Sequence, residues 1–227
     1  MKIGIIGMGH MGQAVKLGLQ KAGFTNIVTS NRAVDNAAVI DSSNVIFLTV
    51  KPDICKSVIE DFNRDKLIIS LVAGVSFAGV NFEAIRLMSS LLIAQNKGIN
   101  VAWVNKNVSS DNWKKADNLL SRLAKTKWVK TETEIDELTL TIGCGPGWMS
   151  QIIADVAEAC GDEEIAKCMF RDTIDYLDST GLLAQKLAEN VATEGGVTKK
   201  IVNALDFKVK LQWSFGQGYT RIKELRG

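Results

Sequence analysis

The chain has 227 residues, 46% of them apolar and 23% charged, and a net charge of +2. That composition is ordinary for a globular protein with a sizeable core in one large or two small domains. No apolar run approaches the roughly 18 residues that cross a bilayer, and the charge gives no sign of a nucleic-acid partner. We therefore expect a cytoplasmic protein with neither a membrane nor a nucleic acid as partner.

The four cysteines and one histidine have no metal-ligand spacing, so we expect no metal site and reduced thiols. Charge is unevenly distributed along the chain. Residues 1–130 contain 17 Lys and Arg against 9 Asp and Glu, whereas residues 131–227 contain 10 against 16. A basic first half suits an anionic cofactor, although solvated lysines account for most of these charges.

The first dozen residues hold the strongest motif. The apolar run Ile3 to Ile6 leads into Gly7, Gly9 and Gly12, and a helical pattern of apolar residues follows. A strand, a tight turn and a helix with Gly-x-Gly-x-x-Gly spacing are typical of a dinucleotide site, in which the pyrophosphate binds the helix N-terminus. His10 lies inside this turn and is a candidate catalytic acid, but we expect it to face solvent or the phosphates.

The second predicted strand, Ile27 to Ser30, ends where an acidic residue would bind the ribose 2′-hydroxyl of NAD. The chain has Ser30, Asn31 and Arg32 there instead. Because a guanidinium suits a 2′-phosphate, this predicts NADP(H) rather than NAD(H), with a solvated Arg32 as the alternative.

Strands and helices alternate through the rest of the first half. Further strands are predicted over 44–50, 66–72, 83–88, 99–104 and 127–130, and helices over 34–40, 53–62 and 111–125. This alternation predicts an α/β fold, with a Rossmann-type doubly wound sheet over residues 1–131. Ligands of such sheets lie beyond the carboxyl ends of the strands.

From residue 132 to 227 the apolar periodicity is helical, with one long helix predicted over 163–187. Helices without a sheet need a partner for their apolar faces, either each other or a second copy of the chain. We favour a homodimer or higher homo-oligomer built from this all-α domain. A loop at 194–197 opens a helix near Thr198, and either cradles an anion on backbone N–H groups or joins two helices with Thr198 as N-cap.

An ordered set of motifs resembles the pyrroline-5-carboxylate reductase family. The matching segments are Gly7 to Gly12, Asn31-Arg32, Val50-Lys51-Pro52, Ala73-Gly74-Val75-Ser76, Arg86-Leu87-Met88, Gly143-Cys144-Gly145-Pro146, Thr193 to Thr198 and Arg221 to Leu225. The resemblance is to a divergent member of that family. The chain has Ser89-Ser90 where the family has Pro-Asn, Trp148 for tyrosine, Glu194 for proline and Val197 for threonine. Glu194 either points away from the substrate or selects one with a cationic group.

The resemblance implies hydride transfer from NADPH to the C=N carbon of 1-pyrroline-5-carboxylate, a cyclic imino acid, which gives L-proline. It implies that the Thr198 hydroxyl is catalytic at the imine nitrogen, and that Gly195, Gly196, Val197 and Thr198 bind the substrate. The implied cofactor-binding residues are Gly7, Met8, Gly9, His10, Met11, Gly12, Ser30, Asn31, Arg32, Val50, Lys51, Pro52, Ala73, Gly74 and Met88. Two alternatives stay open: an NADP-dependent reductase for another imine or a keto or hydroxy acid, and a dinucleotide-binding protein without catalysis.

Overall fold

The computed structural model describes residues 1–31, 34–60, 62, 66–205 and 207–226. Within this part of the chain, seven strands form one sheet. In chain order the strands are β1 (Ile3–Ile6), β2 (Ile27–Thr29), β3 (Val45–Leu48), β4 (Leu67–Ser70), β5 (Glu83–Met88), β6 (Ile99–Val104) and β7 (Lys125–Trp128).

The strand order is β2-β1-β3-β4-β5-β6-β7. Strands β1 to β5 are parallel, β6 is antiparallel to β5, and β7 is parallel to β6. The chain leaves β1 toward β2 on one side and returns to β3 on the other, so the topology reverses between β1 and β3. A crevice at the carboxyl ends of these two strands is the expected ligand position in a doubly wound sheet. The predicted α/β fold class is confirmed.

The central strands are apolar on both faces, as the continuous apolar runs predict for a parallel sheet covered by helices. Ile3 and Ile5 of β1 and Phe47 of β3 belong to one buried cluster, whereas Ile6 and Ile46 belong to the cluster on the other face. Because successive strand residues point to opposite faces, each strand contributes to both cores.

The helices differ from the predicted ones mainly in the second half. In chain order they are α1 (His10–Lys21), α2 (Asn36–Ser42), α3 (Pro52–Ile59), α4 (Ser110–Leu123), α5 (Glu132–Ile142), α6 (Gly145–Cys160), α7 (Glu163–Thr180), α8 (Ala184–Val191), α9 (Val197–Leu205) and α10 (Phe207–Arg226), with a 3₁₀ turn at Leu91–Gln95.

The single helix predicted over 163–187 is wrong. Gly181 has a φ of +66° and donates its N–H to the Leu177 carbonyl, which ends α7 in the left-handed conformation that glycine favours.

The chain divides into two compact units. The first contains residues 1–146 and the carboxyl-terminal residues from 218, and the second contains residues 147–217. Helix α5, which the predicted boundary after residue 131 assigns to the helical domain, therefore groups with the sheet. It begins with a capping box between Thr131 and Glu134, and its Ile135 is fully buried with Met88 and Val101 of the sheet.

Candidate active site

The glycine turn between β1 and α1 lies at the topological switch point. Gly7 has a φ of +98°, and a Cβ there would lie 2.7 Å from the Val50 backbone nitrogen. A Cβ on Gly12 would lie only 2.0 Å from the Gly7 carbonyl oxygen. The turn therefore packs directly on the residues that follow β3, and it requires glycine at both positions.

The N-terminus of α1 is open toward this crevice. Gly9 is its N-cap, and a Cβ built on Gly9 meets nothing within 4 Å. The first hydrogen bond of the helix runs from the Gln13 N–H to the Gly9 carbonyl. The N–H groups of His10, Met11 and Gly12 precede it and have no acceptor within the helix, and the helix dipole favours an anion there.

The two methionines and the histidine of the turn take different positions. Met8 and Met11 are partly buried against the apolar cluster that contains Ile3 and Ile5, whereas His10 is exposed. The exposure of His10 agrees with the expectation that it faces solvent or the phosphates.

Thr49, directly after β3, holds the turn in place. Its hydroxyl donates to the Gly7 carbonyl at 2.6 Å and lies 3.1 Å from the Ile6 carbonyl, while its N–H donates to the Ile6 carbonyl at 2.9 Å. Sequence reasoning missed Thr49. A threonine at the end of an otherwise apolar buried strand was the available signal, because its hydroxyl needs a partner.

The end of β2 also reaches the turn. The Gly7 N–H donates to the Ser30 hydroxyl at 3.4 Å, and the Ser30 N–H donates to the Ile5 carbonyl. Asn31 exchanges two hydrogen bonds with Val34, one through its side-chain oxygen. Arg32, the predicted 2′-phosphate ligand, lies outside the described residues.

The Val50-Lys51-Pro52 segment joins β3 to α3 beside the glycine turn. Val50 packs on the second apolar cluster, Lys51 is exposed at the N-cap of α3, and Pro52 occupies the first turn of that helix. Lys51 is therefore a solvent-exposed cation next to Val50, whose backbone nitrogen borders Gly7.

The predicted cofactor residues after β4 and on β5 are less exposed to solvent than Lys51. Ala73 packs against the cluster that contains Met88, and Met88 itself is buried. A Cβ on Gly74 would lie 2.6 Å from the Cβ of Leu225, so Gly74 is needed for close packing of the last turns of α10. Ser89 and Ser90, the departures from the family motif, are both buried.

A buried ion network stands beside these residues and was also missed by sequence reasoning. Arg86 of β5 is 1% exposed, and it pairs with Asp136 and Glu132 of α5. The available signal was an arginine within the apolar run of β5, because a charged group in a buried strand requires a counter-charge.

The second unit contains the predicted substrate loop. Gly195 has a φ of +74°, and the first hydrogen bond of α9 runs from the Lys200 N–H to the Gly196 carbonyl. The N–H groups of Val197, Thr198 and Lys199 therefore precede the helical ladder and form an open N-terminus. Thr198 is partly exposed at this end of α9.

Glu194 is 91% exposed, and its carboxylate lies 3.6 Å from the Lys199 ammonium. The two residues thus form a surface ion pair beside the loop, which contributes little to stability.

Two absences hold for the part of the chain that the structure describes. No group of three or more His, Cys, Asp or Glu side chains is arranged to hold a metal ion. None of the helices there is both long and apolar enough to cross a bilayer.

Comparison with known proteins tests the resemblance. Residues 29–74 match the family described as NADP oxidoreductase coenzyme F420-dependent. The pyrroline-5-carboxylate reductase of Aquifex aeolicus is 27% identical over 241 residues, which cover 92% of this chain and 90% of that protein. The enzyme of the same name from Haemophilus influenzae is 25% identical over 244 residues, covering 90% and 89%. The resemblance to pyrroline-5-carboxylate reductases is confirmed.

The fold of this chain is also that of the pyrroline-5-carboxylate reductases. The crystal structure of Plasmodium falciparum pyrroline carboxylate reductase with NADP bound superposes with a TM-score of 0.90 at 22% identity, covering 100% of this chain and 98% of that one. The match runs through the sheet and the helical half alike.

Proposed function

We propose that this protein is an NADPH-dependent reductase that converts 1-pyrroline-5-carboxylate to L-proline by hydride transfer. The observation that carries the proposal is an open glycine turn and helix N-terminus at the switch point of a chain that resembles pyrroline-5-carboxylate reductases from end to end. The predictions of an NAD(P)H-dependent oxidoreductase acting on a C=N bond, and of NADP as its cofactor, are confirmed by these relatives and by the NADP-bound neighbour. The substrate itself, and a place in proline synthesis in the cytoplasm, belong to the proposal.

The residues of the glycine turn suit a dinucleotide. The N–H groups of His10, Met11 and Gly12 would hold the pyrophosphate, and Gly9 leaves the space that it needs. Ser30 and Asn31 would contact the ribose next to the adenine, and Lys51 would supply a cation at the opposite side of the turn. When bound, NADPH supplies the hydride that reduces the C=N carbon.

The loop before α9 suits the substrate carboxylate. Gly195 and Gly196 allow the backbone to present the N–H groups of Val197 and Thr198 to an anion. The Thr198 hydroxyl would donate a hydrogen bond at the ring nitrogen, where the reduced imine needs its proton. The Glu194 side chain is 91% exposed beside Lys199, which supports the interpretation that its carboxylate points away from the substrate.

The proposal includes a homodimer through the helical unit. Ala166 is the only buried apolar side chain among the described residues from 147 to 217. Large apolar side chains on α7, on α9 and on or directly before α8 are instead exposed by half or more: Ile165, Met169, Ile174, Leu183, Val191, Val197 and Ile201. Since such a large apolar surface is unusual for a monomer, we infer that a second copy covers it.

One alternative rests on a specific observation. Ser89-Ser90 replaces the family's Pro-Asn directly after β5, and both serines are buried at the end of the sheet where the substrate ring would meet the cofactor. A change at that point favours a reductase for a different cyclic imine more than it favours a protein without catalysis.

NADPH oxidation followed at 340 nm with 1-pyrroline-5-carboxylate tests the proposal. We expect turnover that requires the substrate and gives one L-proline per NADPH consumed. Turnover only with other imines or keto acids would establish the alternative. If the protein binds NADPH but turns over neither 1-pyrroline-5-carboxylate nor the other imines and keto acids, it is a dinucleotide-binding protein without catalysis and the proposal is overturned.

A further inference from the structure

Arg86 is a fully buried charge on a strand that ends at the candidate site. It lies in β5 between Ile85 and Leu87, which belong to the apolar core on the opposite face. A guanidinium in such a position costs several kcal/mol of solvation unless it is paired, so its partners determine its role.

The partners are two carboxylates one turn apart on α5. Nη2 of Arg86 donates to Oδ1 of Asp136 at 2.9 Å, and Nη1 lies 3.4 Å from Oε1 of Glu132. Residues four apart share one face of a helix, so this arrangement fixes α5 against β5 both along and around the helix axis.

Glu132 extends the network to the segment after β4. Its Oε1 accepts the Phe77 N–H at 2.7 Å, and its Oε2 accepts the Ser76 hydroxyl at 2.6 Å. One carboxylate thus holds the segment that follows Ala73 and Gly74 and also faces the guanidinium of Arg86. Three segments, the turn after β4, the strand β5 and the helix α5, converge on two ion pairs.

The same face of α5 continues to the carboxyl end of β5. A Cβ on Gly143, seven residues after Asp136, would lie 2.8 Å from the sulfur of Met88. Met88 is two residues after Arg86 and shares its face of the strand. Arg86 and Met88 therefore dock α5 on the last residues of β5, immediately before the buried Ser89.

The network braces one half of the crevice only. If the pyrophosphate lies at α1, the adenosine half of a dinucleotide extends toward the end of β2, and the nicotinamide half extends over β3, β4 and β5. Arg86 and Glu132 hold the β4 and β5 side, whereas the contacts of Ser30 on the β2 side are with β1 and the glycine turn.

We propose that Arg86 is a positioning residue for the nicotinamide half of the site, acting through Glu132 and Asp136. The proposal rests on the proposed function, because it assumes a nicotinamide dinucleotide in the crevice. Displacement of a reacting group by about 1 Å can cost about 10²-fold in rate, so loosening this brace should affect hydride transfer more than adenosine binding.

The test compares the whole cofactor with its adenine half. The Kd values of NADPH and of adenosine 2′,5′-bisphosphate are measured by calorimetry for the wild type and for Glu132→Gln, Arg86→Lys and Arg86→Met, together with kcat. Glu132→Gln keeps an oxygen for the Phe77 N–H and removes the charge facing Arg86, while its amide N–H can donate to the Ser76 hydroxyl in place of the bond that the second oxygen accepts. It is therefore informative even if Arg86→Met does not fold. Arg221→Met, which breaks an exposed ion pair with Glu224, is the matched control.

For Glu132→Gln we expect the Kd of NADPH to rise and kcat to fall by about tenfold each, with the Kd of the bisphosphate within about twofold of the wild type. Arg86→Lys should recover much of what Arg86→Met loses, and Arg221→Met should change nothing. Equal weakening of both ligands, or no change in either, would overturn the assignment. A wild type that oxidises no NADPH would instead defeat the proposed function, and the ratio of the two Kd values would still test Arg86.

Discussion

The Thr49 hydroxyl donates a 2.6 Å hydrogen bond to the carbonyl of Gly7, across the point where the sheet reverses its topology. This bond joins the end of β3 to the end of β1, the two strands on either side of the crevice. The missing Cβ of Gly12 would lie 2.8 Å from the same hydroxyl. The three residues form one packed unit, and the shape of the phosphate turn depends on all of them.

Replacing Thr49 by valine should weaken cofactor binding without unfolding the protein. The variant leaves the Gly7 carbonyl without its side-chain donor, which costs about 1 kcal/mol of stability and frees the turn to shift. We expect the Kd of NADPH to rise by about tenfold, measured by fluorescence titration. Thr49→Ser, which keeps the hydroxyl, should bind like the wild type. Equal affinities for Thr49→Val and the wild type would remove Thr49 from this role.

Gly9 and Gly12 should respond in opposite ways to substitution. A side chain at Gly9 enters open space, so Gly9→Val should fold with an unchanged Tm and lose NADPH binding because it fills the space for the pyrophosphate. Gly12→Ala places a methyl group against the Gly7 carbonyl and should destabilise the fold by about 1–3 kcal/mol or more. Thermal unfolding with and without NADPH separates the two effects, and NADPH binding by a folded Gly9→Val would contradict the assignment of the turn.

Thr198→Ala should lower kcat by about 10²-fold and leave the Kd of NADPH unchanged, because the hydroxyl is proposed to act at the substrate nitrogen. Steady-state kinetics with 1-pyrroline-5-carboxylate measures the first value, and calorimetry measures the second. Thr198→Ser retains the hydroxyl and should keep most of the activity. If the alanine variant turns over normally, Thr198 is a residue of the first turn of α9 with no part in the reaction.

The Cys55 thiol should resist alkylation in the folded protein. Burial raises the pKa of Cys55 to about 11, so at pH 8 only about 10⁻³ of it is thiolate, and access is blocked as well. A pH between 7 and 9 is below this pKa, so the thiol stays mostly protonated and buried over that range. Mass spectrometry after iodoacetamide treatment should find Cys55 modified at least about 100-fold more slowly than in guanidinium-unfolded protein. Comparable rates would show that the α3 side of the core opens readily.

The helical unit should associate in solution. Ile165 and Met169 lie one turn apart on α7, and both are more than half exposed in a single chain. We expect the wild type to sediment as a dimer or larger, and Ile165→Glu with Met169→Glu to shift it toward monomer, because two charges would have to be buried in the interface. A monomeric wild type at micromolar concentration would refute the homodimer.

Much of the sheet could be predicted from the sequence, because its strands and its first turn depend on residues that are close together in the chain. The apolar runs that form β1, β3 and β4 can bury all their side chains only when both faces of the sheet are covered. The spacing of the glycines after β1 is compatible with few other turns. The glycine turn could be predicted for the same reason.

Other features depend on contacts between distant parts of the chain. Nothing near Arg86 in the sequence indicates that Glu132 and Asp136 lie opposite it, so the pairing and the grouping of α5 with the sheet required the fold. Apolar periodicity continues past Gly181 and so predicts no break there, although a glycine followed by two leucines can end a helix.

The most direct test of the central claim is isotope transfer. NADPH carrying deuterium at both positions of nicotinamide C4 is incubated with the protein and 1-pyrroline-5-carboxylate, and the product is analysed by mass spectrometry and NMR. A hydride transferred within the site places one deuterium on C5 of L-proline. Formation of proline without deuterium, or of no proline at all while NADPH stays intact, would contradict the account.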